Sequence, residues 1–396
     1  MVRRRPTRLA SATSIMAAMV VGVAALTGCA TRSAAGPAQA GGETPPIPQA
    51  LGVSVPGLSW AIVRTGGPSV GGLFWQLLVQ DRPGGPWRLA TPPGVADNGG
   101  LAVTRATDGT MTAGFVPSQL LRFSPLAVTG DAGAHWSQGL LPAGLIAGPD
   151  SLAAVPGGRL VAVTSKSVEE SAAGATGWRS LVTRGALAGT AAGRRCGLTS
   201  LTGAVAEPDG RIVVAGGCAR AGAIGLFAAT ATGWQLAGPA LPSSVGLRSA
   251  SVAGLISTKA GTAALIAGQT RRGEMLIPVW LAARSTSWST YFPMTFPVSA
   301  VTSIAASAQG TWAAVVNGGR ALIAQSPGVS VSNPALANPV SLPAPGATLV
   351  TGAAGGSLTA LVPGVDTVAI WRRTASGVWR RSQLINVPST PGGQSH

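Results

Sequence analysis

Short apolar runs, some alternating with polar residues and some unbroken, recur along residues 48 to 387 and are separated by tight turns. The stretch "LTGAVAEPDGRIVVAGG", residues 201 to 217, shows the pattern: two such runs meet at an Asp-Gly step. Period-two alternation predicts strands, and a two-residue turn between a pair of them predicts a hairpin. Comparable turns fall at Pro56-Gly57, Asp108-Gly109, Gly157-Gly158, Asp209-Gly210, Ala260-Gly261, Gln309-Gly310 and Gly355-Gly356, at intervals close to fifty residues. About 21 to 30 residues after each turn comes a tryptophan: Trp87, Trp136, Trp178, Trp234, Trp288 and Trp379. Only the sixth unit lacks it and carries Val331 instead, in "SPGVSV".

Each unit therefore reads as four strands, A to D, with the marked turn between A and B. In the sixth unit they are expected at residues 302–307, 311–316, 320–325 and 331–335. Four-stranded units repeating every forty to fifty residues or so predict an all-β chain folded as a β-propeller. A single unit cannot cover its own two faces, so neighbours must stack and the ring must close. Seven units predict seven blades. The weak first and third units leave six or eight as alternatives.

Within the second unit, "TGDAGAHW" (residues 129 to 136) sits at the turn between strands C and D. Its Thr129, Asp131, Gly133 and Trp136 fit S/T-x-D-x-G-x-x-W, so the chain resembles the Asp-box, or BNR, propellers of the sialidase type. The resemblance implies that hydroxyl and carboxylate satisfy backbone N–H groups of the hairpin and that the tryptophan packs between blades. Those roles suit the residue types: Asp bonds its own turn, Gly takes positive φ, and Trp brings a large packing surface. Remnants recur as "ATGW" at 175–178 and 231–234 and as "SGVW" at 376–379. His135 occupies a free position of the motif and reads as a solvated turn residue.

Ahead of the repeats, "MVRRRPTR" is basic and residues 9 to 26 are apolar and uncharged, the layout of an export signal. The signal is expected to span residues 1–28. Its end, "LTGC", resembles the lipobox of bacterial lipoproteins, which implies that Cys29 is acylated and becomes the first mature residue. Residues 29–47 then read as a flexible linker, 48–387 as the propeller and 388–396 as a disordered tail. A chain anchored in this way belongs on the outer face of the bacterial cytoplasmic membrane.

Charged residues make up 10% of the chain and hydrophobic ones 46%, too apolar for disorder. The net charge is +16, and removing Arg3, Arg4, Arg5 and Arg8 with the leader brings it to +12. Nearly all of it is arginine, since Lys166 and Lys259 are the only lysines. A basic surface attracts anionic polymers or lipid head groups. Nucleic acid is not expected, because no basic helix or stacking platform accompanies the charge.

Catalytic chemistry finds little purchase. Tyr291 stands on an outer D strand, away from the channel where sialidase-type groups belong. Asp81, Asp97, Asp108, Asp131, Asp150 and Asp209 occupy turn-like settings, and Glu43 lies in the linker. Glu169, Glu170, Glu207, Glu274 and Asp366 form no pair of the kind glycoside hydrolysis requires. With His135 and the terminal His396 as the histidines, no metal cluster or hydroxyl triad is expected, and no cofactor. Cys196, before strand A of the fourth unit, and Cys218, ending its strand B, fall at one end of the blade and are expected to form a disulfide outside the cytoplasm. Two buried, unpaired thiols are the alternative.

Topology sorts the arginines. In an up-and-down blade the D–A and B–C connections emerge at one end and the A–B and C–D turns at the other. Arg194, Arg195 and Arg248 fall in D–A connections, and Arg220, Arg271 and Arg272 in B–C connections. These six are expected to share one face and to bind an anionic partner, with Glu169 and Glu170 on the same rim neutralising part of the field. The sequence thus points to a monomeric, membrane-anchored propeller that binds a protein or an anionic envelope polymer without catalysis. A sialidase-like glycan hydrolase or lyase is the alternative, and a structural assembly factor is a third reading.

Overall fold

The computed structural model describes residues 50 to 387 except 68–71, 94–99, 116–124, 138–140, 143–144, 146–148, 174–176, 242–244, 260, 284, 286, 291–293, 297–300, 308–311, 317–319, 325–339 and 353–356. Cys29, Tyr291, Val331, the linker and the tail lie outside the described residues.

Among the described residues the strands fall into seven consecutive sets of antiparallel neighbours, called sheets 1 to 7. Sheet 1 holds β1 Ala50–Val55, β2 Leu58–Gly67, β3 Gly72–Gln80 and β4 Arg88–Leu89. Sheet 2 holds β5 Leu101–Arg105, β6 Met111–Phe115, β7 Pro125–Thr129 and β8 Leu141–Pro142. Sheet 3 holds β9 Ser151–Val155, β10 Arg159–Val163, β11 Ser167–Ser171 and β12 Trp178–Thr183. Two short helices follow, α1 Arg184–Gly189 and α2 Ala191–Cys196. Sheet 4 holds β13 Leu198–Ala206, β14 Ile212–Cys218, β15 Gly225–Thr230 and β16 Gly233–Leu236. Sheet 5 holds β17 Ser249–Thr258, β18 Gly261–Thr270 and β19 Gly273–Ala282, whose outer edge pairs with both β20 Ser289–Thr290 and β21 Met294–Phe296. Sheet 6 holds β22 Val301–Ser307, β23 Trp312–Val316, β24 Arg320–Ala324 and β25 Val340–Ser341. Sheet 7 holds β26 Thr348–Thr351, β27 Leu358–Pro363, β28 Thr367–Arg373 and β29 Trp379–Asn386.

In the sixth set β24 pairs with Val340–Ser341; residues 331–335, where the fourth strand was expected, lie outside the described residues. Two short helices accompany the strands. Thr183 and Thr190 cap α1 and α2 by accepting the N–H groups of Ala186 and Gly193, and Gly197 ends α2 in the left-handed conformation. Those two threonines and that glycine are ordinary sequence signals for a helix pair.

Each sheet is apolar on both faces, and each face is buried against a neighbour. One apolar cluster joins sheets 1 and 2, another sheets 2 and 3, and the series continues to sheets 6 and 7. A last cluster, with Ala61, Leu78 and Trp87 facing Leu361, Ile370 and Ile385, joins sheet 7 back to sheet 1. The stack is therefore a closed ring, which makes the chain a β-propeller.

The tryptophans occupy these seams. Trp136 packs between sheets 1 and 2, and its indole N–H donates to the carbonyl of Ala90, just past β4 (3.0 Å). Trp288 repeats the contact on Ala237, just past β16 (2.7 Å), and Trp379 repeats it on Ser341 (2.8 Å). Each is a bond to the preceding sheet. Between sheets 5 and 6, where the marker tryptophan is missing, Trp312 on β23 is buried instead.

Closure takes a particular form. Strand β1 pairs in parallel with β22, from Ala50 opposite Ser303 to Ser54 opposite Ser307, and β26 packs against both. Gly52 permits this: a Cβ there would lie 1.9 Å from the carbonyl oxygen of Leu349. Farther out, Gln383 on β29 clamps Trp87, accepting its backbone N–H (2.9 Å) and donating to its carbonyl (2.6 Å) across 296 residues.

Gly52→Ala should therefore strain the closure. A loss of about 1–3 kcal/mol or more is expected in urea unfolding, whereas Gly177→Ala, with open space around it and no positive φ, should cost less. Equal stability of Gly52→Ala and the parent chain would contradict the backbone contact.

Candidate anion-binding face

Strand order brings the six arginines singled out by topology to one end of sheets 4 and 5. Arg194 and Arg195 form the last turn of α2. A disulfide joins Cys196, at the end of that helix, to Cys218, at the end of β14. Both cysteines are fully buried, among the apolar residues between sheets 3 and 4. The two residues that follow β14 are drawn onto the helix end as well: the N–H groups of Ala219 and Arg220 donate to the carbonyls of Gly197 and Cys196, each at 3.0 Å.

The chain of contacts continues outward. Strand β14 also pairs with β17, Cys218 opposite Ala250 and Gly217 opposite Ser251. Extending that antiparallel register by two residues sets Arg220 opposite Arg248. The N–H of Arg248 in turn donates to the carbonyl of Gln269, one residue before the Thr270–Gly273 turn that carries Arg271 and Arg272. All six side chains are exposed. Among the described residues none of them takes part in an ion pair, and Arg194 donates only to the carbonyl of Gly189.

Two cations that sequence reasoning passed over belong to the same end. Lys166 lies in the β10–β11 turn, and its carbonyl accepts the N–H of Arg184, the first residue of α1. The signal was available, because both positions fall in B–C or D–A connections. The expected neutralisation by Glu170 is not found. Its carboxylate is buried, with 3% of the side chain exposed, and pairs with Arg159, the first residue of β10, and Arg179, the second of β12, toward the opposite end of sheet 3. Glu169 accepts the hydroxyl of Ser167 (2.9 Å).

The C–D turn of sheet 2 has a different character. The Thr129 hydroxyl donates to Asp131 Oδ1 (2.7 Å) and accepts the N–H of Gly133 (3.0 Å), a residue whose φ of 83° disfavours a side chain. Asp131 accepts the backbone N–H of His135 (2.8 Å), and its other oxygen lies 2.7 Å from Nδ1 of the same histidine. These bonds, led by that backbone N–H, hold the Asp131 carboxyl well below the usual carboxylate range. The His135 side chain is 90% exposed, so the pair is a solvated turn contact.

Other carboxylates are likewise committed. Asp108 and Asp209 accept N–H groups of their own turns, from Thr110 (2.9 Å) and Arg211 (3.0 Å). Glu207 pairs with Arg211, and Asp81 with Arg88. Among the described residues no group of three His, Cys, Asp or Glu is placed to hold a metal ion.

No protein-family model and no curated protein matches the chain. Solved structures do resemble it. The periplasmic gluconolactonase PpgL of Pseudomonas aeruginosa matches with a TM-score of 0.54 at 14% identity, over 84% of this chain and 97% of that one. A lectin from Aleuria aurantia, described as a six-bladed β-propeller, matches with a TM-score of 0.40 at 16% identity, over 87% of this chain and 96% of that one. At such identities the likeness to the gluconolactonase is one of fold.

The turn yields a pH-dependent prediction. Asp131 has a depressed pKa in the folded chain, so its contribution is full above the unfolded carboxylate value of about 3.9 and is lost as pH falls toward the folded value. Asp131→Asn should lower the unfolding temperature at neutral pH, and the gap to the parent should narrow as the solution is acidified below about pH 4. His135→Ala keeps the leading backbone bond and should shift it little. A larger loss from His135→Ala than from Asp131→Asn would overturn this account.

Proposed function

We propose that the chain is an exported, lipid-anchored propeller of seven blades that binds an anionic partner, a protein or an envelope polymer, through the arginine face of sheets 4 and 5. The observation that carries the reading is the run from Arg194 to Arg272, six exposed guanidinium groups on one end of two adjacent sheets, without an ion pair among the described residues. Guanidinium groups fork onto carboxylates and phosphates, and several on one rigid rim act together. The disulfide and the β14–β17 ladder fix that rim, so little ordering opposes binding.

Seven strand sets and seven seam clusters support the blade count. The basic and apolar leader ending in "LTGC" supports acylation at Cys29 and a place on the outer face of the cytoplasmic membrane. The geometry of Thr129, Asp131, Gly133 and Trp136 supports kinship with Asp-box propellers. Binding is favoured over glycan hydrolysis because Asp81, Asp108, Asp131, Asp209, Glu170 and Glu207 are occupied by turns or ion pairs.

Reversing Arg195, Arg220 and Arg272 to glutamate should abolish retention of the full-length chain on immobilised heparin at about 0.15 M salt, while the parent elutes only at higher salt. Unchanged retention of the folded triple variant would reduce the arginines to background composition. Cys29→Ala, in turn, should no longer incorporate labelled palmitate in cells and should leave the detergent phase. Continued labelling of that variant would disprove the anchor.

A further inference from the structure

The inner strands of sheets 1 to 6 enclose a cavity of about 980 Å³ on the ring's axis, within the size range of small-molecule sites. Among the described residues sheet 7 adds none to its wall, because β1 and β22 pair in front of β26. The wall is mainly apolar. Leu51, Val55, Leu255 and Ile256 stand half-exposed at the centre of the molecule, where the cavity is the space they face. Leu51 and Ile256 each pack against both the sheet 1–2 core and the sheet 5–6 core, so they reach across the axis.

Charge on the wall is divided between the ends. Arg105 ends β5 and Lys259 follows β17, both at the A–B end, whereas Asp150 precedes β9 at the other end. Arg105 Nε is buried and has no partner among the described residues. Asp108 lies near Arg105 but spends Oδ1 on the N–H of Thr110. Asp150 is exposed on the cavity wall, and partial desolvation by the surrounding protein raises its pKa.

We propose that this cavity is a binding site for a long-chain monocarboxylate, its acid meeting Arg105 and Lys259 and its chain lying along Leu51, Val55, Leu255 and Ile256. Apolar burial supplies the bulk of the attraction, and the two cations set the direction. A second acid at the far end would meet Asp150, so diacids are rejected. The site is independent of the arginine face, which lies on the end that carries the D–A and B–C connections.

The test is fluorescence titration of the full-length chain with cis-parinarate. Saturable binding is expected, displaced by palmitate but not by hexadecanol, by hexadecanedioate or by phosphatidylglycerol at the same concentration. Lys259→Glu, on an exposed side chain, should weaken binding about tenfold or more. Ala154→Trp, which fills the wall at β9, should abolish it. Arg220→Glu should leave it unchanged, which separates this site from the anion-binding face. Absence of saturable binding, equal displacement by acid and alcohol, displacement by phosphatidylglycerol but not palmitate, or full affinity in Lys259→Glu would each overturn the proposal.

Discussion

The contact on which everything else rests is the seam between adjacent sheets. A four-stranded sheet with two apolar faces has no stable existence in water, and here every face is covered by the next sheet in the chain. Three of the seams hold a tryptophan at or just before the outer strand, with the indole N–H of Trp136, Trp288 or Trp379 fixed to a carbonyl of the sheet before. That bond sets the spacing of neighbours as well as covering them. The same demand explains the sixth seam, where Trp312 arrives from the second strand in place of the missing marker.

Once the seams are fixed, both candidate sites follow from geometry. Strands A crowd the axis and leave a space that six of them line. Connections of one kind gather at one end, and so arginines far apart in sequence become neighbours. Neither site requires a specialised motif. Each uses positions the repeat leaves free, which is how propellers of common architecture come to differ in ligand.

Much of this could be read from the chain, and for a definite reason. Turns at Asp108-Gly109 and Asp209-Gly210 and the phased tryptophans are local signals, repeated often enough to set the period. The end on which Arg194, Arg220 and Arg272 emerge followed from strand parity alone. What escaped depended on partners hundreds of residues away. Nothing near Gly52 announces Leu349, and nothing near Gln383 announces Trp87. Nor do the alternating residues of β1 and β17 reveal that Leu51 and Ile256 face a cavity, because buried and lumen-facing leucines look alike in sequence. The opposite end of Glu170 was missed similarly, since its partners Arg159 and Arg179 come from flanking strands.

The clamp of Gln383 on Trp87 sets the order in which the ring can close during synthesis. Sheet 1 is made first, yet its outer face waits for a strand that is made last. Until sheet 7, which begins at Thr348, has been made, the apolar side of Trp87 and Leu78 is open, and an added strand from another chain can take the place of β29. A ring closed by its two ends thus folds with its most distant contact as the last step, which slows folding relative to a protein of local contacts. Loss of β29 therefore uncovers an apolar face of the first sheet as well as depleting the last.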